Sequence, residues 1–320
     1  MASISKFEFA ECLAQGRLMR NITLKHLRFA ASAARLRSFA AAAEANNVTP
    51  PAVTMQIRQL EDDIGLPLFD RTARGLEPTP AGQEILLAAQ RIENALEECR
   101  EALIAFQSLD AGRVTVGVVS TAKYFAPRML AAFSRLHPKI EVKLVVGNRQ
   151  YIIERFEAGV CDLCIMGRPP QTAEVESHFL GPHPHFFVAP PGHLLAGRAN
   201  LSPSALAGEI FLVRELGSGT RHLMEAFFSK AGITPVIGME IGSNETIKQA
   251  VMAGLGLTFI SAHTCAAEIH ERRLVALDVI GLPMVRNWLV VRLAAKRLMP
   301  ATRSLRDFLI AEGSSFLPSP

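Results

Sequence analysis

The chain alternates between two hydrophobic rhythms. Up to about residue 107 the apolar positions recur at helical spacing; beyond residue 112 they gather into short runs split by Gly and Pro. Thr23 is a natural N-cap for a helix over 24–37, and Ser38 for a second, alanine-rich one ending near Ala45. Asn46-Asn47-Val48 reads as a tight turn, because Asn tolerates left-handed backbone. Thr49 caps a third helix with Pro50 in its first turn, where the missing N–H is no loss. Val53, Ile57, Leu60 and Ile64 follow at steps of four, three and four residues and form one buried stripe. Thr54, Met55 and Arg58 lie on the opposite face. Two short strands over 68–71 and 74–76 complete a winged helix-turn-helix pattern spanning 22–79.

Thr79-Pro80 opens a longer helix over 80–110. Ile85, Ala89, Ile92, Leu96, Cys99, Leu103 and Phe106 alternate steps of four and three, a heptad seam held over three repeats. Such a seam either packs on its own domain or meets a second copy of the chain.

After Ala111-Gly112 the pattern becomes strand 114–119, helix 123–136, strand 140–146, helix 149–158 and strand 161–166. That alternation predicts a parallel sheet covered on both faces. It restarts with strands near 185–189 and 210–213, a helix at 221–231, a strand at 236–241, a helix at 245–253 and a strand at 256–261. The fold class is therefore α/β after the helical start. Two lobes follow, the first over 111–185 with 296–320 returning to it and the second over 186–295, with a cleft between them.

Composition narrows the function. The chain has 320 residues, 49% hydrophobic and 20% charged, with a mean hydropathy of +0.21, so it is not intrinsically disordered. No apolar run reaches the roughly 18 residues of a membrane helix, and Lys6, Glu8 and Glu11 interrupt any secretory leader. Five cysteines are too few for a disulfide scaffold, so a reducing cytoplasm is expected. The net charge of +4 permits a nucleic-acid partner without arguing for one. Its distribution says more: residues 20–75 carry eight basic against five acidic side chains, residues 80–110 two against six. A basic helical unit thus precedes an acidic helical spacer.

The candidate chemistry is binding rather than catalysis. A helix-turn-helix offers the exposed face of its third helix to the major groove, here Thr49, Pro51, Thr54, Met55 and Arg58, with Arg71 and Arg74 on the wing near phosphates; the alternative is a packed trihelical unit with a solvated face. Three strand-to-helix junctions carry polar caps: Ser120-Thr121, Ser218-Gly219-Thr220-Arg221 and Asn244-Glu245-Thr246. Free N–H groups and the helix dipole favour an anion at such places, and Lys123, Arg168, Arg214, Arg221 and Lys248 lie beside them. The plain alternative is ordinary capping. Cys161 and Cys164, three apart on an inferred strand, would point to opposite faces and stay unpaired. His183-Pro184-His185 and His193, among prolines, read as a crossover loop and not as a metal site. No P-loop, nucleophile elbow or His-Glu-x-x-His occurs, so no enzyme is expected.

The residues also carry a resemblance. Ser38-Phe39 through Ala42-Ala43-Glu44, Asn47-Val48-Thr49, Pro51-Ala52-Val53-Thr54 and Gln56-Ile57-x-x-Leu60-Glu61 are similar to the N-terminal signature of LysR-type transcriptional regulators. Gly65-x-Pro67-Leu68-Phe69-x-Arg71 and Leu76-x-x-Thr79-x-Ala81-Gly82 continue it. The resemblance runs through nearly all the chain after about Asn21. It implies a winged helix-turn-helix, a linker dimerisation helix and a two-lobed effector domain like type 2 periplasmic binding proteins. It further implies a homodimer assembling into a dimer of dimers on double-stranded operator DNA, with RNA polymerase as partner. Pro50 departs from the family's usual Gln, which leaves base reading to Thr54, Met55 and Arg58. Residues 1–21 extend beyond the usual start, with Met19 an alternative initiator.

The runs 120–127, 166–170, 214–221 and 242–254 resemble the subgroup that activates Calvin-cycle (ribulose bisphosphate carboxylase) operons. That likeness implies a phosphorylated metabolite or NADPH as the small anionic effector. Gly217-Ser218-Gly219-Thr220-Arg221 is also similar to sulfur-assimilation regulators, so another pathway stays open. A metabolite-binding protein or enzyme with an accessory helical domain is the reading from a different class.

Overall fold

The computed structural model describes residues 21–73, 75–107 and 111–318. Arg74 and the N-terminal extension up to residue 20 lie outside them. The chain divides into two units, the second beginning at Cys99.

The first unit starts with α1 (Leu24–Leu36), α2 (Phe39–Ala45) and α3 (Pro50–Ile64). Thr23 closes a capping box with His26, and Ser38 accepts from the Ala41 N–H at 3.3 Å, so two orphan helix donors are satisfied locally. Val53, Ile57, Leu60 and Ile64 are all buried, as their spacing requires, with Leu27, Phe29 and Ala33 facing them. Burying each such Val, Leu or Ile side chain stabilises by about 1.5–3 kcal/mol. Strands β1 (Phe69–Thr72) and β2 (Gly75–Pro78) pair antiparallel as the wing. The Thr79 hydroxyl donates to the Pro67 carbonyl at 2.7 Å and accepts from the Gly82 N–H at 3.0 Å, which starts α4 (Pro80–Gln107). At about 1.5 Å per residue α4 is about 42 Å long.

The heptad seam splits along that helix. Ile85 and Ala89 belong to the core of the first unit, whereas Ile92, Leu96, Cys99 and Leu103 are exposed. The side chain of Phe106 lies outside the described residues.

The second unit has two lobes. In the first, β3 (Gly112–Val119) pairs in parallel with β4 (Ile140–Gly147) and β5 (Leu163–Met166). Helices α5 (Ala126–Leu136) and α6 (Arg149–Glu157) connect them, and α10 (Pro300–Glu312) returns near the end of the chain. The expected helix at 123 begins later: a 3-10 turn over Ala122–Tyr124 comes first, and Phe125 leaves helical dihedrals before Pro127 enters the first turn of α5.

The second lobe contains β7 (Ile210–Arg214) parallel to β8 (Val236–Ile241), with α7 (Gly219–Ala231), α8 (Asn244–Met252), β9 (Thr258–Ser261) and α9 (Ala262–His270). Two long antiparallel strands, β6 (Val175–Ala189) and β11 (Met284–Leu293), run from one lobe to the other, and the short β10 (Val275–Ala276) pairs with the end of β6. Their register shifts between Trp288 and Leu289.

Three expectations change here. The segment 183–185 is strand, not loop: β9 covers β6 only from His185 onward, so the stretch holding Pro182 and Pro184 has an unpaired edge that tolerates missing N–H groups. The return to the first lobe comes earlier than residue 296, because Trp288, Val290 and Val291 already sit in that lobe's core. Cys161 precedes β5 instead of lying on it. Its thiol therefore turns to the same side as that of Cys164: a Cβ on Gly117 would stand 2.9 Å from one sulfur and 2.8 Å from the other.

Candidate functional site

The DNA-reading face sits on α3. Met55 is 60% exposed, Arg58, Thr49 and Pro51 are exposed, and Thr54 is half-buried beside them. Thr49 makes no side-chain cap bond, so its hydroxyl is free, whereas the Thr54 hydroxyl donates to the Pro50 carbonyl at 3.0 Å and keeps only acceptor capacity. Arg71 is exposed on β1. Arg37 pairs with Glu77 of β2, and Arg28 with Glu93 of α4 at 2.6 Å. Of the cations that the sequence singled out, Arg58 and Arg71 are exposed, while neighbouring Arg28 and Arg37 are engaged within the unit.

Within the second unit a cavity of about 940 Å³ opens between the lobes. Ser120, Thr121 and Arg168 line it from the first lobe, and Ser218, Gly219, Thr220 and Arg221 from the second. Ser218 and Thr220 are buried at the start of the 13-residue α7, and the Ser218 hydroxyl makes no capping bond. The first backbone N–H groups of that helix have no intrahelical acceptor and face the cavity with the positive end of the dipole.

Gly217 turns the chain into this helix at φ 83°, a left-handed conformation, and a Cβ there would lie 2.8 Å from Gln150 Oε1. Glycine is needed on both counts. The Gly217 carbonyl accepts from the Gln150 N–H across the lobes at 3.3 Å.

Sequence reasoning missed Arg149. It follows the N-cap Asn148 at the β4–α6 junction and lines the cavity. Burial and the charge of Arg168 beside it both lower its pKa. Its Nη2 donates to the Pro169 carbonyl at 3.2 Å, which leaves most of the guanidinium for a ligand. Gly147-Asn148-Arg149 was a fourth polar strand-to-helix junction, the signal that would have found it. Two adjacent arginines facing a helix N-terminus form an anion site of high local potential.

Other sequence candidates stand apart from the cavity wall. Arg214 and Asn244 are buried, and the Arg214 guanidinium is taken up by Glu215, at 2.8 and 2.9 Å, and by Asn244. Lys123 reaches Glu245 at 3.8 Å, Tyr124 bonds Glu245, and Lys248 is buried against Glu268 at 2.8 Å. The Thr246 N–H serves the cap of its own helix through Ser243. These residues bond one another or their neighbours between and within the lobes and do not line the cavity.

Behind the anion end, β6 and β11 place a cluster of rings. His183 stacks on Trp288 at 3.7 Å between centroids, and its Nε2 meets the Ser261 hydroxyl at 2.9 Å. The Trp288 indole N–H donates to His263 Nδ1 at 2.9 Å, and His185 Nδ1 bonds the His183 carbonyl at 3.1 Å. Burial pushes His185 and His263 down to about 4 and His183 well below its ordinary value, so all three are neutral. Among the described residues no group of three His, Cys, Asp or Glu side chains could hold a metal ion, and no helix is long and apolar enough to cross a membrane.

A winged helix with a free recognition face, joined in one chain to a two-lobed unit with a cleft lined by arginines and a helix N-terminus, defines a ligand-responsive DNA-binding regulator. Comparison with known proteins gives the family. The bacterial regulatory helix-turn-helix of the lysR family matches residues 24–83, and the LysR substrate binding domain matches 107–314. The chain belongs to the LysR family of transcriptional regulators.

It is 55% identical over 298 residues to the HTH-type transcriptional regulator CbbR of Xanthobacter flavus, covering 92% of this chain and 90% of that one. It is 42% identical to the RuBisCO operon transcriptional regulator of Allochromatium vinosum, over 92% of this chain and 97% of the relative. Among solved structures, the regulatory domain of Synechocystis PCC6803 CcmR in complex with 2-PG is 37% identical, covers 62% of this chain and 96% of that one, and has a TM-score of 0.61. Full-length CbnR in complex with its target DNA shares the fold at 22% identity and a TM-score of 0.67, over 90% of this chain and 99% of the other.

Proposed function

We propose that this regulator controls carbon-fixation (RuBisCO) operons in the cytoplasm, and that a small anionic metabolite in the interlobe cleft sets its activity. The cleft carries the reading: Arg149 and Arg168 face the N-terminus of α7, with the Ser120 and Ser218 hydroxyls beside them. A phosphorylated metabolite, or the phosphates of NADPH, matches that donor set. The relatives are named for RuBisCO operons, and the CcmR domain, 37% identical, holds 2-PG. The chain works as a binding protein rather than an enzyme, a reading supported by its family and by relatives named as transcriptional regulators.

The exposed seam of α4 suits a second copy, so the active form is a homodimer that assembles into a dimer of dimers on operator DNA. Two recognition helices then read an inverted repeat, and the ligand acts by favouring one arrangement of subunits over another, which alters contact with RNA polymerase. Anisotropy of the purified protein on DNA upstream of its own gene, at fixed salt and against random competitor, tests this. Specific binding changed by phosphorylated sugars, 2-PG or NADPH is the expected result. Specific binding indifferent to all of them would remove the anionic effector, and no preference over random DNA would remove the operator reading.

A further inference from the structure

Ser120 lines the cleft from the first lobe, and two buried residues of the second lobe hold it from behind. Arg214, at the end of β7, points Nη2 at the Ser120 hydroxyl oxygen (3.3 Å) and at the Gly242 carbonyl (3.4 Å). The same Nη2 also donates to Glu215 at 2.9 Å, Nε donates to Glu215 at 2.8 Å, and Nη1 donates to the side-chain oxygen of Asn244. Asn244 opens α8 and uses both ends of its amide: the oxygen accepts from Arg214, and the nitrogen donates to the Ser120 carbonyl at 3.2 Å. Neither residue lines the cleft. The Gln150–Gly217 backbone bond and the Tyr124–Glu245 bond cross between the lobes as well.

We propose that Arg214 and Asn244 are positioning residues, an interlobe clasp that holds the binding-competent arrangement and fixes the polarity of Ser120 toward the ligand. The proposal rests on the anionic-effector reading above. Arginine only donates, so the Ser120 oxygen is an acceptor on its buried side. Its own O–H is then left to donate into the cleft. Arg149, Arg168 and the α7 N-terminus are donors too, so the part of the wall around Ser120 presents hydrogens, while the lining carboxylates Glu154 and Glu225 are engaged by Gln150 and Arg221. A group made only of acceptors, such as phosphate or carboxylate, fits it, and a group that must donate at Ser120 does not.

The clasp also acts on affinity. A ligand that touches Ser120 in one lobe and α7 in the other binds tightly only when the lobes are in register. The apparent affinity falls with the fraction of molecules in that arrangement, and the clasp keeps the fraction high before the ligand arrives.

Asn244→Asp separates these roles from folding. The carboxylate still accepts from Arg214 but cannot donate to the Ser120 carbonyl, and it places two oxygens face to face. Ser120→Ala removes the donor to the ligand and keeps the carbonyl contact. Both variants are compared with the full-length wild type by amide hydrogen exchange without ligand, by thermal melting, and by titration with 2-PG and with inorganic phosphate, followed through Trp288, the sole tryptophan.

In Asn244→Asp, exchange should rise at residues 118–124 and 147–153 alone, the melting temperature should hold, and 2-PG affinity should fall about tenfold, the worth of one neutral hydrogen bond lost. In Ser120→Ala affinity should fall while exchange stays as in the wild type. Wild-type exchange in Asn244→Asp overturns the clasp, whatever the ligand does, and undiminished 2-PG binding by Ser120→Ala overturns the donor assignment. A wild type blind to both anions, with Asn244→Asp still exchanging faster, removes the anion reading of the cleft and leaves the clasp standing.

Discussion

The two binding surfaces of this protein are built in opposite ways. The recognition face takes Thr54, Met55 and Arg58 from five consecutive positions of one helix; Met55 and Arg58 stand exposed and Thr54 half-buried, all outside the buried stripe. The cleft gathers residues from Val119 to Arg286, and several polar groups around it already serve one another. A surface of the first kind changes affinity with little effect on stability. A surface of the second kind leans on buried groups of the fold, so conditions that disturb those groups act on both.

Acidification should show that linkage most strongly. His185 and His263, pushed down to about 4, and His183, held well below its ordinary value by burial, stay neutral in the folded protein and gain protons near 6.5 once unfolded. Between those values the unfolded state binds more protons, so stability is full above about pH 6.5 and falls as pH drops toward 4. The slope is at most about 1.4 kcal/mol per pH unit for each histidine. Denaturant unfolding at pH 7 and pH 5, followed through Trp288 stacked on His183, should register a loss of a few kcal/mol. Equal stability at both values would mean that the cluster is not buried and neutral, and the contrast between the surfaces would weaken.

Next in size is the pair Arg149→Ala with Arg168→Ala. Burial of Arg149 beside a like charge holds strain that an anion relieves. Removing both arginines should lower the affinity for 2-PG about 100-fold, two charge-assisted contacts at about 1.5–3 kcal/mol each, discounted for the exposure of Arg168. Calorimetric titration reads it, and the melting temperature should not fall. A variant that binds 2-PG as the wild type does would move the anion site away from the β4–α6 junction.

This pairing marks where the sequence stopped being legible. The period of α3 placed its buried stripe and its free face, because a helix settles both from local spacing. The polar strand-to-helix junctions at Ser120-Thr121 and Ser218–Thr220 were readable for the same reason, although neither Thr121 nor Ser218 makes a side-chain capping bond. Which cation serves the cleft was not. Arg214 and Arg168 look alike beside their junctions, and only the fold brings Glu215 and Asn244 to the first and leaves the second facing the cavity. The strand through Pro182 and Pro184 escaped reading because an unpaired edge is a property of the assembled sheet. The thiols of Cys161 and Cys164 were misplaced because the strand begins two residues after Cys161.

Arg58→Ala tests the recognition face. An arginine read against a guanine edge is worth about 1–3 kcal/mol of discrimination. The substitution should therefore lower affinity for the operator about 10–100-fold, leave random DNA nearly untouched, and leave the melting temperature unchanged, because Arg58 is exposed. Equal losses on both kinds of DNA would turn Arg58 into a phosphate contact and leave sequence reading to Met55 and Thr54.

Arg71→Ala should give the smallest effect and the opposite signature. Arg71 stands on the wing, paired in register with Leu76 on the neighbouring strand, and its side chain is exposed. A wing cation meets the phosphate backbone, which carries no sequence, so operator and random DNA should weaken by the same few-fold factor. Losing one phosphate contact releases one counterion fewer, and the slope of log affinity against log salt should become shallower by about 1. Anisotropy titrations at four salt concentrations on both DNAs separate this from Arg58, whose loss changes the ratio between the DNAs. If Arg71→Ala altered that ratio and left the salt slope in place, the wing would be reading sequence, and the recognition surface would no longer be confined to one helix.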